Sequence, residues 1–162
     1  MTFILAAERS GSPSSVGKAF DDYRAYLQQH EDRFPPGAYA LATSEWYYDC
    51  ENHRGPHDAW LEQCLVQEDR GEESGVRSVT LELKLLGPYH DGHIVLRYPE
   101  VVSYDLAVDT GMGGHRDWRY DEFRISDAGH LIHEIEWAGP KKTGRWLIEA
   151  IDVEYSWEPI EC

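Results

Sequence analysis

The sequence predicts an α+β fold: one or two N-terminal helices packed on a mainly antiparallel sheet of about six or seven strands. Two observations carry this. Apolar residues recur at steps of three and four only in the first third of the chain, which is the period of a helix with one buried stripe. From Ala59 onward the period is two, short turn signals separate the apolar runs, and no helical stretch for a strand-helix-strand crossover is visible. At 162 residues one domain is expected. It should span residues 16–162, after a flexible N-terminal segment over 1–15.

SGSPSS at 10–15 reads as a linker, with Ser14 or Ser15 placed to cap the next helix. Val16, Phe20, Tyr23, Leu27, His30 and Phe34 then form one stripe, predicting a helix from about 16 to 33 with Asp21, Asp22, Arg24, Gln28, Glu31 and Asp32 outward. His30 lies on the stripe and reads as a boundary ring that packs rather than ligates. Pro35–Pro36 ends the helix, because a proline disfavours the helical conformation in the residue before it. Ala38, Leu41, Ala42, Glu45 and Trp46 again have helical spacing, although residues 37–48 also fit a strand. DCENHRGPHD, 49–58, is a loop.

In the second part, Trp60, Cys64 and Val66 share one parity while Leu61 and Leu65 take the other, so this strand has apolar side chains on both faces. EDRGEESG, 68–75, is a polar turn. Val79, Leu81, Leu83 and Leu85 alternate with Ser78, Thr80, Glu82 and Lys84, the pattern of a half-buried strand. After the turn GPYHDG, 87–92, the runs HIVLRY and VVSYDLAV flank Pro99–Glu100, which marks a bulge or an edge position. DTGMGG, 109–114, is a loop. Strands over 118–125 and 130–137 follow, separated by a turn at Asp127–Gly129, and GPKKTG, 139–144, is the last turn. The final strand places Leu147, Ile151, Val153, Tyr155 and Trp157 on one side and Asp152, Glu154, Ser156 and Glu158 on the other.

Net charge is −15, and acids outnumber bases two to one in both halves of the chain. Such a surface repels phosphate backbones and anionic lipid, so nucleic acid and membrane are excluded as direct partners. It attracts a basic protein and speeds the encounter. The polar face of the last strand, Asp152, Glu154 and Glu158, is the candidate partner-binding surface. Cys50, Cys64 and Cys162 form no C-x-x-C, neither a disulfide framework nor a zinc finger. The opening MTFILAAERS holds too short an apolar run for a signal sequence, so a cytoplasmic location is expected.

Eight histidines, several beside acids, raise the question of a metal or acid–base site. HLIHE, 130–134, alternates like a strand, which points His130 and His133 to opposite faces and prevents a shared ligand shell. HDGH is better placed: on a turn, His90, Asp91 and His93 can converge on a metal. His115 lies in a loop, but GMGG lacks the Lys-Ser/Thr of a phosphate loop. In GPHDAWLE, His57–Asp58 reads as a turn device that aims Trp60 into its strand. No nucleophile motif occurs, so the balance leans away from an enzyme, and no cofactor is expected. A Tyr/Trp-rich face or the edge near Pro99 also suits pairing with a second copy.

The order of a helix, a Pro-rich break, HDAWL, LELKLLG, HIVLRYPEVVSYDL and then HEIEW and WLIEAIDVEYSW resembles small bacterial proteins, some of them similar to immunity proteins of polymorphic toxin systems. The likeness covers about residues 16–158 and is one of layout. It implies a non-enzymatic binder that blocks a toxin, often a basic nuclease, and it transfers no individual residue role.

Overall fold

The computed structural model describes the chain apart from residues 11–12, 74, 112, 139–143 and 162 and the side chains of 8–10 and 13. The expected turn 139–144 therefore lies, except for Gly144, outside the described residues, as do two positions of the expected linker and Cys162.

Three helices precede the sheet: α1 (Ile4–Ser10), α2 (Pro13–Gln29) and α3 (Pro36–Ala42). The N-terminal segment expected to be flexible thus contains a helix, with Ile4 and Leu5 fully buried. Its cap comes from far along the chain: the Glu122 carboxylate accepts from the amides of Phe3 (3.0 Å) and Leu5 (3.4 Å). The second helix begins at Pro13, a residue without an N–H at a position where none is needed. Ser14 and Ser15 accordingly lie inside its first turn. Of the expected stripe, Tyr23, Leu27 and Phe34 are buried and Val16, Phe20 and His30 half-buried, and Ala19 is buried beside them. A 3-10 turn, Glu31–Arg33, follows, and Phe34 is extended ahead of Pro35. Pro36 then opens α3, so residues 36–42 are helix and 43–58 are loop.

The sheet has eight antiparallel strands rather than six or seven. They are β1 (Trp60–Arg70), β2 (Arg77–Leu86), β3 (Gly92–Tyr98), β4 (Val101–Ala107), β5 (Asp117–Ile125), β6 (Leu131–Ala138), β7 (Gly144–Ala150) and β8 (Glu154–Pro159). The spatial order is β4-β7-β6-β5-β1-β2-β3-β8. The central joint is thin: β1 pairs with β5 only through Trp60 and Asp117, extended by hydrogen bonds from Asp58 N–H to Trp118 C=O (2.8 Å) and from Trp118 N–H to Ala59 C=O (2.9 Å). Beyond it the sheet splits into two halves of four strands.

The chain crosses between the halves twice. At Pro99–Glu100 it turns from β3 into β4, with Glu100 at φ +46. At 151–153 it turns from β7 into β8, and this corner divides the stretch expected to be one final strand. The corner also resets the parity. Trp146, Ile148 and Ala150 point into the core, not Leu147.

The two inner faces share one core. Leu81, Leu83, Leu85, Ile94, Leu96 and Tyr98 come from one half, and Trp118, Phe123, Leu131, Ile135, Trp137 and Ile148 from the other, with the inner sides of α2 and α3 completing it. Alternation on β2 and β3 places every second residue inside, as the sequence pattern requires. β6 departs from alternation because its outer face is buried too, including Glu134 and Glu136.

Candidate functional site

Of the residues singled out from sequence, His57–Asp58, His90–Asp91 and Asp152 fall in separate places, while His93 and Glu158 are cross-strand neighbours on the face that also carries Glu154. His57 and Asp58 form the turn into β1. Asp58 adopts φ +65, its amide hooks onto Trp118, and the His57 ring bonds through Nδ1 to the Arg119 carbonyl (2.7 Å). The two side chains stand 3.6 Å apart, with Arg119 3.7 Å from the same Asp58 oxygen.

His90, Asp91 and His93 each face a different partner. His90, at φ +58, packs edge-on against Trp60, with ring centres 4.6 Å apart. Asp91 bonds to His53 Nδ1 at 2.5 Å. His93, first in the outward row of β3, reaches Glu62 at 3.0 Å. Among the described residues no group of three or more His, Cys, Asp or Glu is arranged to hold a metal ion.

Asp152 sits at the corner between β7 and β8, not on the last strand. Its carboxylate accepts from the amides of Gly37 and Ala38 (both 2.9 Å), which caps α3, and from Val153 (2.8 Å). The contact is tight enough that a Cβ on Gly37 would lie 2.2 Å from the Val153 carbonyl oxygen. Asp152 therefore ties a helix to the sheet. Glu154 and Glu158 do lie together on the outer face of β8.

That outer face spans β1, β2, β3 and β8, and among the described residues no helix covers it. Register aligns its rows: Glu154–Arg97–Glu82–Leu65, Ser156–Val95–Lys84–Gln63, and Glu158–His93–Leu86. None of these side chains is buried. Arg97 meets Glu154 at 3.3 Å and Lys84 meets Glu158 at 3.5 Å, both exposed pairs of small energetic weight. Glu62 and Glu82 bring the carboxylates to four against these two permanent cations. A shallow depression of about 480 Å³ runs between Glu82, Arg97, Glu154 and Glu158. Glu82 was visible in the sequence as an outward position between Leu81 and Leu83. Its nearness to Glu154 was not, because it depends on the order β2-β3-β8.

The most reactive-looking groups are elsewhere, sealed in the core. The Asp121 carboxylate on β5 takes Tyr47 Oη (2.9 Å), Trp118 Nε1 (3.0 Å) and His133 Nε2 (2.7 Å). His133 Nδ1 faces Tyr98 Oη at 2.6 Å, which joins β6 of one half to β3 of the other. Asp121 and Tyr98 thus hold the two nitrogens of one imidazole and fix the ring from both sides. Burial raises the Tyr47 and Tyr98 hydroxyls well above their ordinary pKa and keeps them protonated. His133 is 0% and Asp121 2% exposed. A general acid or base has to reach the proton it moves. These groups reach only one another, and the closed set fixes the packing of the two halves. The sequence signal for it was slight: Asp121 and His133 occupy inward positions on strands where apolar residues are the rule.

A second polar cluster lies behind β5 and β6. Arg124 bridges Glu122 and Glu134, the latter at 2.8 Å, and Arg145 also bonds Glu134. Burial pushes the Glu134 carboxyl up, but the charge of Arg124 and the hydrogen bonds from both arginines outweigh it and hold the pKa below its ordinary value.

The chain matches no protein-family model, no curated protein and no solved structure. Among the described residues, no helix is long and apolar enough to cross a membrane.

Proposed function

We propose that this protein is a non-catalytic acidic module that binds and masks a basic protein partner, in the manner of an immunity protein. One contrast supports the reading. The groups with catalytic chemistry, Asp121, His133, Tyr47 and Tyr98, are buried and mutually satisfied, whereas Glu62, Glu82, Glu154 and Glu158 stand on an uncovered four-stranded face. With net charge −15, that face guides a basic protein toward it. Its role is complementarity and fast encounter, with tight binding left to apolar anchors nearby.

The test is affinity purification from native lysate at low and high salt with the wild-type chain and with a Glu82→Lys/Glu154→Lys/Glu158→Lys variant. A protein of high isoelectric point should bind the wild type, elute with salt and be lost from the variant. Identical binding to both chains would remove this face from the reading.

A second reading has its own observation. Among the described residues β4 pairs with β7 alone, and Val102 and Tyr104 on it are exposed, with Asp105 its single charge. Such an edge suits a second copy of the chain. Light scattering with a Tyr104→Lys variant tests it: a dimer in the wild type that dissociates in the variant supports it, and a monomer in both removes it.

A further inference from the structure

The split between the halves leaves two facing strand edges, and they differ. On β5, Tyr23 Oη donates to Phe123 C=O and accepts from Phe123 N–H (both 2.8 Å), while Tyr26 Oη accepts from Ile125 N–H (2.9 Å). Helix α2 thus supplies that edge with hydroxyls in place of a neighbouring strand. On β1, among the described residues, nothing corresponds. From Leu61 to Arg70 it has the β2 ladder on one side and no ladder on the other. Past Leu81, the last β2 residue paired with β3, the β1–β2 hairpin is a two-stranded arm.

We propose that this bare edge of β1 takes an extended basic segment of a protein partner by strand addition. The proposal rests on the reading of the chain as an acidic binder of basic proteins and specifies how the partner is held. In such binding, main-chain hydrogen bonds supply affinity and alternate side chains supply selectivity. The edge carries both kinds of contact. Trp60, Leu65 and Val66 are 49%, 44% and 39% exposed, more than core-forming residues normally allow. Glu62, Glu68 and Asp69 are interleaved with them and are exposed. Lysines or arginines on an added strand would meet these carboxylates, and its apolar residues would meet Leu65 and Val66.

Two of the antiparallel registers open to a second copy bring like charges together. An antiparallel copy in register about Leu65 sets Glu62 opposite Glu68. Shifting it to pair Leu65 with Val66 sets Glu62 opposite Asp69. Like charges directly opposite destabilise a ladder.

The head of the edge has an anchor point. Where β1 and β5 part, a notch of about 330 Å³ is lined by Trp60, Leu61, Gly113, Gly114, His115, Arg116 and Asp117, so an uncharged side chain suits it better than a basic one. Gly113 and Gly114 both have positive φ, a conformation open to glycine, and the Arg116 guanidinium lies against Gly113. His115 packs against Trp137 and Trp146 at the back. A segment lying along β1 reaches this notch and places an aromatic or aliphatic side chain on Trp60.

The experiment is amide hydrogen exchange on the full chain with three reagents. One is a synthetic peptide of alternating lysine and valine. The second is the same peptide N-methylated at every residue, which keeps its charge but leaves neither edge able to form a ladder. The third is a Glu62→Lys/Glu68→Lys/Asp69→Lys variant, all exposed positions. With peptide about tenfold above its Kd, amides within 61–70 that face the open edge should exchange about tenfold more slowly, because they exchange only from the free state. The N-methylated peptide should give no protection, and the variant should lose it. If both peptides bind equally, leave 61–70 unchanged and lose affinity for the Glu82/Glu154/Glu158 variant, strand addition is wrong while the acidic-binder reading stands. If neither peptide binds at low salt and millimolar concentration, both readings fall.

Discussion

The two lips of the split sheet are built from similar material and finished differently. Both are strands that leave the same joint at Trp60–Asp117. β5 runs inward, where an unpaired amide is costly, and the protein satisfies its edge with Tyr23 and Tyr26 and its inward carboxylate with Tyr47, Trp118 and His133. β1 runs outward, where water serves its amides, and its edge is left open beside Leu65 and Val66. The same unpaired backbone is thus a stability problem on one lip and an available surface on the other. Burial makes the difference.

Substitutions on the two lips should separate sharply in size. The largest effect belongs to Asp121→Ala, which leaves Tyr47, Trp118 and His133 without their acceptor in a dry core; a loss of about 3–5 kcal/mol is expected in urea denaturation. Tyr23→Phe strips both backbone groups of Phe123 and should cost about 2–3 kcal/mol. If it proves neutral, the hydroxyl is not standing in for a strand.

Glu134 gives a pH-dependent version of the same point. Its pKa is held below the ordinary value of 4.5, so it stabilises the fold above that value and the contribution disappears as pH falls toward the folded-state pKa. Acid denaturation of Glu134→Gln should therefore begin from a lower stability but show a shallower acid limb. Tyr26→Phe, which frees only the half-buried Ile125 amide, should cost about 1 kcal/mol. Val66→Thr on the outer lip should stay within about 0.5 kcal/mol, while weakening capture of any partner that adds a strand there. A large stability loss at Val66 would mean that β1 is core and would erase the contrast between the lips.

The core-facing half of this architecture is readable along the chain. Val79 to Leu85 alternate because β2 has one wet and one dry face, and the four- and three-residue steps through Tyr23 and Leu27 mark the buried stripe of α2. The last strand shows where such reading stops. Alternation continues numerically through Ile151, Asp152 and Val153, so nothing local signals the corner that caps α3 and resets the parity. The candidate trio divides for the same reason: Glu154 and Glu158 share the outer face with Glu82, while Asp152 serves a helix formed more than a hundred residues earlier. Likewise the apolar run Ile4–Leu5 looks expendable until Glu122 closes over the first turn of α1.

By itself the sequence determined what short-range physics controls: the helix–strand division, the inward residues of β2 and β3, the proline-set starts and stops, and the acidic charge. Tertiary structure decided which strand edges meet a tyrosine and which meet water. It also decided which carboxylates cap a helix or neutralise an arginine, and which remain on an open face. Those outcomes depend on residues distant in sequence being brought within hydrogen-bonding distance, and no periodicity of two or of 3.6 residues encodes that distance.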